Sequence, residues 1–354
     1  MSPPSEPAST PSRKAQHLQI NVERDVAAKG VDAGFAAYAF VPKALPEIDL
    51  EEVDLSTRLL GRTLRAPLLI SCMTGGTPEA TRVNRTLAAV AQRFGLAMGL
   101  GSGRALLESA ASLPTFDVRP IAPDVLLLAN LGAVQLNRGY GADDCRRLVD
   151  LLRADGLALH LNALQEALQP EGDTCFRGLL REIAALCSAV DFPVIVKEVG
   201  WGIPADDVRA LADAGVAAVD VAGAGGTSWS EVERHRTPQP WRGRVAAEFA
   251  GWGIPTADCL VQARAAAPEA TLIASGGIRS GLDAAKALAL GAAAAGVAGP
   301  FLRAAYEGEG TAADLASAYV ETLRVALFSV GARTPAELRA AGRLVRQGTV
   351  PPNG

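Results

Sequence analysis

The densest set of chemically active side chains lies in residues 157–173, LALHLNALQEALQPEGD. His160, Asn162, Gln165 and Glu166 follow one another there within seven residues. If this stretch begins as a β-strand, whose side chains alternate between two faces, His160 and Asn162 share one face and the leucines share the other. Unpaired polar groups are costly to bury, so four of them at a strand end indicate a ligand-binding site. Any one of them alone also fits the alternative, a strand end that meets water.

Short apolar runs, each followed by a turn and a helical stretch rich in Ala and Leu, recur about every 30 residues from residue 67 onward. These runs predict strands at 67–71, 96–101, 125–130, 157–162, 194–199, 217–223, 271–277 and 294–299. The stretches after them predict helices at 78–94, from 105, at 143–154, 177–189, 204–214, 256–267, 281–290, 301–306 and 311–330. Eight such units predict a single-domain α/β fold, the (β/α)8 TIM barrel. An open, doubly wound parallel sheet is the alternative.

The same pattern divides the chain into four parts. We predict a disordered leader at 1–12, a turn-rich lead-in at 13–66 that contributes residues to the site, the barrel at 67–332, and a C-terminal helix and tail at 333–354. Residues 224–255 form the longest irregular segment, and loops of that size in compact domains are often lids. A packing insert or a subunit contact is the alternative for that segment.

The composition excludes several classes of protein. A net charge of -4 with scattered Lys and Arg argues against a nucleic-acid partner. Five widely spaced cysteines without a C-x-x-C pair indicate a reducing compartment, so we expect a cytoplasmic protein without disulfides or structural zinc. The N-terminus lacks the apolar core of a signal peptide, and the most apolar run, 287–302, is shorter than the ~20 residues that span a bilayer. We therefore expect no membrane partner.

Barrels of this kind carry their chemistry at the carboxyl ends of the strands, where this sequence has glycine or polar residues after nearly every run. Gly276 and Gly277 follow the seventh strand, and Ser280 and Asp283 have the spacing of a helix cap. A helix N-terminus in this position binds phosphate through its free N–H groups, and Ala298–Gly299 after the eighth strand would complete the site. A plain capped turn is the alternative.

Lys197 lies on the opposite face of its predicted strand from Val196 and Glu198. If that face lines the mouth of the barrel, Lys197 places a cation at the centre of the site. In that position the Lys197 ammonium would stabilise negative charge on the N1 and C2 carbonyl region of a reduced flavin. A satisfied ion pair is the alternative.

Arg104, just past the second strand, is the candidate for a second anion site. Arg13 and His17 share a face at helical spacing with Lys14 beside them, and this group would fold over the anion. A solvated charge cluster at a frayed terminus is the alternative. Glu166 could hold Mg²⁺ together with the anion, because Mg²⁺ favours one or two carboxylates plus phosphate oxygens.

Together these motifs resemble the type 2 isopentenyl-diphosphate isomerase family, in order from residue 13 to the 330s. The matching motifs are RKAQH (13–17), MTGG (73–76), GSGR (101–104), NLGA (130–133), HLNALQE (160–166), VKEVGWG (196–202), DVAGAGGTSW (220–229) and SGGIRSGLDAAKALALGA (275–292). The resemblance implies an FMN-dependent barrel enzyme that interconverts isopentenyl and dimethylallyl diphosphate. It also implies Mg²⁺, NADPH as the reductant of the flavin, and a homo-oligomer, tetramer or octamer.

The resemblance assigns roles to individual positions. The residues that would surround FMN are Met73, Thr74, Gly75, Ser102, Asn130, Lys197, Thr227, Gly276, Gly277, Arg279, Ala298 and Gly299. Those that would line the prenyl diphosphate are Arg13, Lys14, His17, Ser102, Arg104, His160, Asn162 and Gln165, with catalysis at Gln165, His160 and Asn162 and the metal at Glu166. The chain departs from the family at Gln16, where many members have an acidic residue, and at Gly103, where some have Gln.

Moving a double bond by one carbon requires protonation of an alkene and removal of a proton elsewhere. The motif offers an amide at Gln165 and a carboxylate at Glu166 that is committed to the metal, so our hypothesis gives the proton chemistry to the N5 region of reduced flavin, with Gln165 orienting or relaying. An FMN-dependent 2-hydroxy-acid oxidase or dehydrogenase is the nearest alternative. That reaction needs a base, usually His, and of three histidines only His160 follows a strand. A non-catalytic flavin-binding barrel is the other alternative.

Overall fold

The computed structural model describes residues 10–347. The helices are α1 Thr10–Glu23, α2 Pro78–Phe94, α3 Arg104–Glu108, α4 Ala142–Leu152, α5 Ala163–Leu168, α6 Leu179–Ala189, α7 Ala205–Asp213, α8 Trp229–Arg236, α9 Pro240–Glu248, α10 Thr256–Ala266, α11 Gly281–Ala289, α12 Gly299–Glu307, α13 Glu309–Ser329 and α14 Pro335–Ala340. The strands are β1 Tyr38–Phe40, β2 Thr57–Leu59, β3 Arg62–Leu64, β4 Leu68–Ile70, β5 Ala97–Gly99, β6 Leu127–Gly132, β7 Gly156–Leu161, β8 Val194–Glu198, β9 Ala218–Asp220, β10 Leu272–Ala274, β11 Ala294–Val297 and β12 Leu344–Arg346.

Strands β4 to β11 form a closed barrel of eight strands, in which neighbours run parallel and β11 pairs with β4. Helices cover the outside, and the strands are buried on both faces, which explains why their sequences read as continuous apolar runs. The predicted (β/α)8 TIM barrel is therefore confirmed. The open doubly wound sheet is excluded because the sheet has no free edge.

The pairing register sets the polar side chains of neighbouring strands at the same level. His160 on β7 lies beside Lys197 on β8, and Lys197 lies beside Asp220 on β9. Gly132 on β6 pairs with His160 in turn. The carboxyl ends of these parallel strands therefore bring an imidazole, an ammonium and a carboxylate to one end of the barrel.

The prediction that residues 224–255 are irregular is wrong, because α8 and α9 lie within them. The buried face of α8 is largely polar, with Ser230, Glu231 and Glu233 each no more than 2% exposed, so the sequence shows no apolar stripe there. Helix α8 packs on α1, and the rings of His17 and Trp229 meet edge to face at 5.2 Å. The lid role of this segment stays a prediction.

The lead-in and the C-terminal segment are more regular than the sequence indicates. Helix α1 begins at Thr10, so residues 10–12, predicted to be disordered, are helical, while residues 1–9 and 348–354 lie outside the described part of the chain. Strand β1 pairs antiparallel with β12, and β2 and β3 form a hairpin. The predicted C-terminal helix corresponds to α14. In residues 10–347 no helix combines the length and apolar character that crossing a membrane requires.

Candidate active site

A cavity of about 760 Å³ lies at the carboxyl ends of the barrel strands. This volume falls within the range of ~300–1,000 Å³ that is usual for ligand pockets. Every residue that the family resemblance assigned to FMN, substrate, metal or catalysis lines the cavity: Arg13, Lys14, His17, Met73, Thr74, Gly75, Ser102, Arg104, Asn130, His160, Asn162, Gln165, Glu166, Lys197, Thr227, Gly276, Gly277, Arg279, Ala298 and Gly299. The fold therefore brings the whole set together, although the separate roles of its members stay predictions.

The polar cluster lies at the junction of β7 with the short helix α5, which the sequence did not predict. Asn162 stands between the two elements, and Gln165 and Glu166 lie on the helix. The side-chain amide of Asn162 donates to Gln165 Oε1 at 3.2 Å and to Glu166 Oε1 at 2.8 Å. One amide thus fixes the two chemically active groups of α5 relative to each other.

Glu166 is the one carboxylate in the predicted catalytic cluster, and its two oxygens have different surroundings. Oε2 accepts hydrogen bonds from the side-chain amide of Gln169 and from the backbone N–H of Asp173, whereas Oε1 accepts from Asn162. Within residues 10–347 no group of three His, Cys, Asp or Glu side chains could hold a metal by itself. A single carboxylate nevertheless fits Mg²⁺, which usually completes its coordination with water and substrate phosphates.

His160 is an uncharged hydrogen-bonding group in this site. Burial, reinforced by the charges of Lys197 and Lys14, lowers the pKa of His160 to about 3. Its Nδ1 lies 2.9 Å from Asn130 Oδ1, an acceptor, so the neutral ring carries its proton on Nδ1 and has a free lone pair on Nε2. His160 therefore adds no positive charge to the cavity at neutral pH.

A buried acid that the sequence reasoning missed, Glu233 of α8, lies behind this cluster. Its Oε1 lies 2.9 Å from His17 Nε2 and accepts from Gln165 Nε2 at 3.4 Å, and its Oε2 accepts from Arg236 Nε at 2.7 Å. Burial alone would raise the pKa of Glu233, but His17 and Arg236 outweigh it and lower that pKa. Glu233 is thus an ionised anchor for Gln165 and His17. Its position four residues after Trp229 was the available signal, because both then lie on one helical face.

Cations collect where α1 folds over the mouth of the cavity. Lys14 Nζ donates to the backbone oxygen of Ser102 at 2.7 Å and lies 5.4 Å from the ring centre of Phe116. Burial, together with the neighbouring Arg13, lowers the pKa of Lys14 to about 8. Arg104 pairs with Glu108 at 2.7 Å and also lines the cavity. These cations make the mouth a suitable place for a multiply charged anion.

Lys197 lies at the inner end of the cavity, 7% exposed, and its Nζ donates to the backbone oxygen of Glu198 at 2.7 Å. Asp220, fully buried on the neighbouring strand, accepts from Ser275 Oγ at 2.7 Å. Burial raises the pKa of Asp220 against the opposing effect of Lys197. Cys72, unlike Asp220, lines this end of the cavity, and burial raises the pKa of the Cys72 thiol. The sequence reasoning missed Asp220 and Cys72, although both stand at strand ends.

The glycines that line the cavity after β10 allow segments of backbone to approach one another. Gly276 has φ +94°, and a Cβ there would lie 2.0 Å from the carbonyl oxygen of Gly223. Gly277 has φ +71°, and its Cβ would lie 2.8 Å from the backbone of Gly225. Only glycine fits either position. We expected glycine at these positions because it lets a ligand approach the backbone. The structure gives a second reason, since the loop after β10 crosses the loop after β9 here and leaves no room for a side chain.

The first N–H groups of α11 have a side-chain acceptor, whereas those of α12 do not. The predicted cap of α11 is present, since Ser280 Oγ accepts from the N–H of Asp283 at 3.1 Å. Helix α12 begins at Gly299 without a side-chain cap, and Gly299 lines the cavity. Its free N–H groups suit a phosphate. An uncapped helix start, the backbone of Gly276 and Gly277 and the ammonium of Lys197 are a donor set that fits a phosphate-bearing flavin.

Comparison with known proteins defines the family. A family model described as FMN-dependent dehydrogenase matches residues 8–115 and 162–345, which supports FMN as the cofactor. The chain is 51% identical over 348 residues to isopentenyl-diphosphate delta-isomerase of Nostoc sp., with 98% of this chain and 99% of the relative covered. It is 53% identical over 337 residues to the protein of that name from Synechococcus sp., with 95% and 97% covered.

Solved structures show the same fold at low sequence identity. A flavocytochrome b2 mutant matches with a TM-score of 0.69 at 18% identity over 96% of this chain and 86% of that chain. A mandelate oxidase mutant with (S)-mandelic acid matches with a TM-score of 0.63 at 19% identity over 95% of each chain. The chain therefore belongs to the FMN-dependent dehydrogenase family and, within it, to the type 2 isopentenyl-diphosphate delta-isomerases.

Proposed function

We propose that this chain interconverts isopentenyl diphosphate and dimethylallyl diphosphate with reduced FMN and Mg²⁺ and without net redox change. The observation that carries the proposal is the composition of one cavity. It has cations at its mouth, the Gln165–Glu166 pair after β7, Lys197 at its inner end, and glycines after β10 and β11 whose backbone would bind the flavin phosphate. The relatives named isopentenyl-diphosphate delta-isomerase match over nearly the whole chain, which supports the same activity here.

The diphosphate end of the substrate would lie at the mouth of the cavity. Arg13, Lys14 and Arg104 would bind its oxygens, and Glu166 would hold Mg²⁺ against them. His17, fixed by Glu233, would add a hydrogen bond from the same helix. This arrangement directs the five-carbon tail away from the cations and toward the flavin site.

Reduced FMN, when bound, supplies an electron-rich ring beside the alkene, and NADPH would serve only to reduce it. Lys197 would stabilise the negative charge of the reduced ring. The chain itself positions the tail. Gln165, held through Oε1 by Asn162 and through Nε2 by Glu233, would orient or relay the proton that moves between the two carbons.

The neutral state of His160 fits a transition state with tertiary-cation character. An imidazolium beside developing positive charge would raise the barrier, because like charges repel strongly in a poorly solvated site. With a pKa of about 3, His160 stays uncharged and can accept a hydrogen bond at Nε2. The same low pKa makes it a weak base for the 2-hydroxy-acid oxidase alternative.

The test is anaerobic incubation of purified protein with FMN, Mg²⁺, NADPH and isopentenyl diphosphate, followed by chromatography and mass spectrometry. We expect dimethylallyl diphosphate to form. In parallel samples, protein with oxidised FMN is mixed with lactate or mandelate, and we expect the flavin to stay oxidised. Flavin bleaching by either hydroxy acid, without isomerisation, would establish the oxidase alternative, and bound FMN with no turnover of either substrate would establish a binding protein.

We also propose a cytoplasmic homo-oligomer, a tetramer or octamer. Exposed apolar side chains outside the cavity, among them Trp241 and Trp252, at 53% and 61% exposure, support an assembled state. Light scattering after size-exclusion chromatography measures the molar mass of the assembly, and a monomer at micromolar concentration would refute the proposed oligomer.

A further inference from the structure

The last part of the 157–173 stretch, Gln169–Asp173, has no role in the function proposed above. It forms a turn that folds back over Glu166. Gln169 is 5% exposed, and its side-chain N–H donates to Glu166 Oε2, to which the backbone N–H of Asp173 also donates at 2.6 Å. We propose that Gln169 is a positioning residue that leaves only Oε1 of Glu166 for a divalent cation and thereby makes the site prefer Mg²⁺ to Ca²⁺. This inference rests on the proposed function, from which the cation is taken.

The two carboxylate oxygens of Glu166 accept different numbers of hydrogen bonds in residues 10–347. Glu166 Oε2 accepts two N–H groups, which engage both of its lone pairs. In residues 10–347 Oε1 accepts only from Asn162, at 2.8 Å, and keeps a lone pair. A cation can therefore bind through one oxygen only. Mg²⁺ requires a near-octahedral shell, in which a carboxylate usually supplies one oxygen. Ca²⁺ takes six to eight oxygens and readily binds both oxygens of one carboxylate.

The two side-chain amides that donate to Glu166 each leave their own oxygen without a partner in residues 10–347. Asn162 Oδ1 and Gln169 Oε1 are buried without a hydrogen-bond partner in the described part of the chain, and both side chains line the cavity. An unsatisfied buried acceptor is unfavourable unless a ligand supplies a donor. Mg²⁺ usually keeps several of its waters, whose protons such acceptors bind. The two oxygens thus flank Glu166 as acceptors for a hydrated cation.

The turn is built to hold this arrangement. Glu171 forms a two-point ion pair with Arg236, at 2.6 and 3.0 Å, and this pair ties the turn to α8. Gly172 lies so close to α5 that a Cβ would be 1.7 Å from the backbone oxygen of Glu166. These contacts hold the turn against both α8 and the helix that carries Glu166.

The experiment replaces the hydrogen-bonding amide in Gln169→Met, which keeps the length of the side chain. FMN-loaded protein with inorganic pyrophosphate is titrated with Mn²⁺, followed by electron paramagnetic resonance against a protein-free blank, and Mg²⁺ or Ca²⁺ then displaces the Mn²⁺. We expect the Kd for Mg²⁺ to rise ~10–100-fold, the usual effect of losing a group that orients a metal ligand. The Kd for Ca²⁺ should rise less, because losing the Gln169 amide frees one lone pair of Oε2 and so permits two-oxygen binding, and the preference for Mg²⁺ should therefore fall.

Two further variants make the result decisive. Gln135→Met removes another buried amide of the cavity, 6% exposed, that does not hydrogen-bond Glu166 within residues 10–347, and it should leave both metal constants unchanged. Gly172→Ala pushes the turn off Glu166 and should weaken Mg²⁺ binding as Gln169→Met does; it replaces that variant if Gln169→Met does not fold. An unchanged Ca²⁺/Mg²⁺ ratio in a variant that retains FMN and melts normally overturns the inference. A shifted ratio in protein that lacks isomerase activity supports it while refuting the proposed function.

Discussion

The charge of Lys14, at the mouth of the cavity, should make the affinity for the diphosphate substrate depend on pH. Its ammonium is enclosed between the backbone oxygen of Ser102 and the ring of Phe116. Burial and Arg13 lower its pKa to about 8, so it is mostly charged at pH 7 and mostly neutral at pH 9. If the ammonium binds the diphosphate, affinity must fall as the pH rises through 8. Bound diphosphate should raise the pKa again, because a nearby anion favours the charged form.

The size of the effect follows from that pKa. The charged fraction of a group with a pKa of about 8 falls from about 0.9 at pH 7 to about 0.1 at pH 9, so kcat/KM for isopentenyl diphosphate should fall about tenfold. The value of kcat, which reports the enzyme–substrate complex, should stay constant. Lys14→Met should lower kcat/KM at pH 7 roughly thirtyfold, as expected for a loss of about 2 kcal/mol, typical of a hydrogen bond to a charged group. It should also remove the fall above pH 8.

The assay is initial-rate kinetics from pH 7 to 9.5 under anaerobic conditions with fully reduced flavin. Lys43→Met is a matched control, because Lys43 lies outside the cavity, and it should keep the wild-type profile. If Lys14→Met still loses kcat/KM around pH 8, or if the fall appears in kcat instead, the assignment of Lys14 to the diphosphate is refuted.

Three more predictions concern residues that line the cavity or lie behind it. Gln165→Ala should lower kcat ~10²–10⁴-fold, the range for a lost proton-transfer group, with FMN still bound and KM little changed, and near-normal turnover would remove Gln165 from the mechanism. Glu233→Gln should reduce the free energy of unfolding in urea by about 1–3 kcal/mol, because His17 and Arg236 lose a charged acceptor while Arg236 keeps its ion pair with Glu171; an unchanged midpoint and slope of the urea transition would show that the charge of Glu233 is not needed. Gly276→Ala should destabilise the protein by about 3 kcal/mol or more and abolish FMN binding, because of its positive φ and its contact with Gly223, and a stable variant with normal flavin absorbance would contradict this.

Much of the barrel could be predicted because each strand is buried on both faces and each outer helix on one. Residues 157–162 illustrate this, since the predicted strand coincides with β7 to within one residue at each end. Once eight units close, the carboxyl ends of the strands meet, and residues far apart in sequence, such as Arg104 and Lys197, line one cavity. The positions of the site residues therefore followed from topology.

The parts that were not predicted lack the apolar pattern by which elements are recognised in a sequence. Helix α8 buries Glu231 and Glu233, which pair with Arg234 and Arg236, so charged residues occupy the face where a pattern search expects apolar ones. Glu233 was not predicted as a site residue because a Glu three residues before an Arg is typical of an exposed helix surface. Strand β12 consists of three residues whose partner, β1, lies at the other end of the chain, and no local pattern specifies such a pairing.

We expect the double bond of isopentenyl diphosphate to move by addition and removal of a proton while the carbon skeleton is unchanged and the flavin stays reduced. The direct test is incubation under argon in D₂O with isopentenyl diphosphate in large excess over NADPH, followed by NMR of the product and the absorbance of the flavin. We predict many equivalents of deuterium-containing dimethylallyl diphosphate for each NADPH consumed, with the flavin bleached throughout. Product limited to one equivalent per NADPH, or product free of deuterium, would contradict the account.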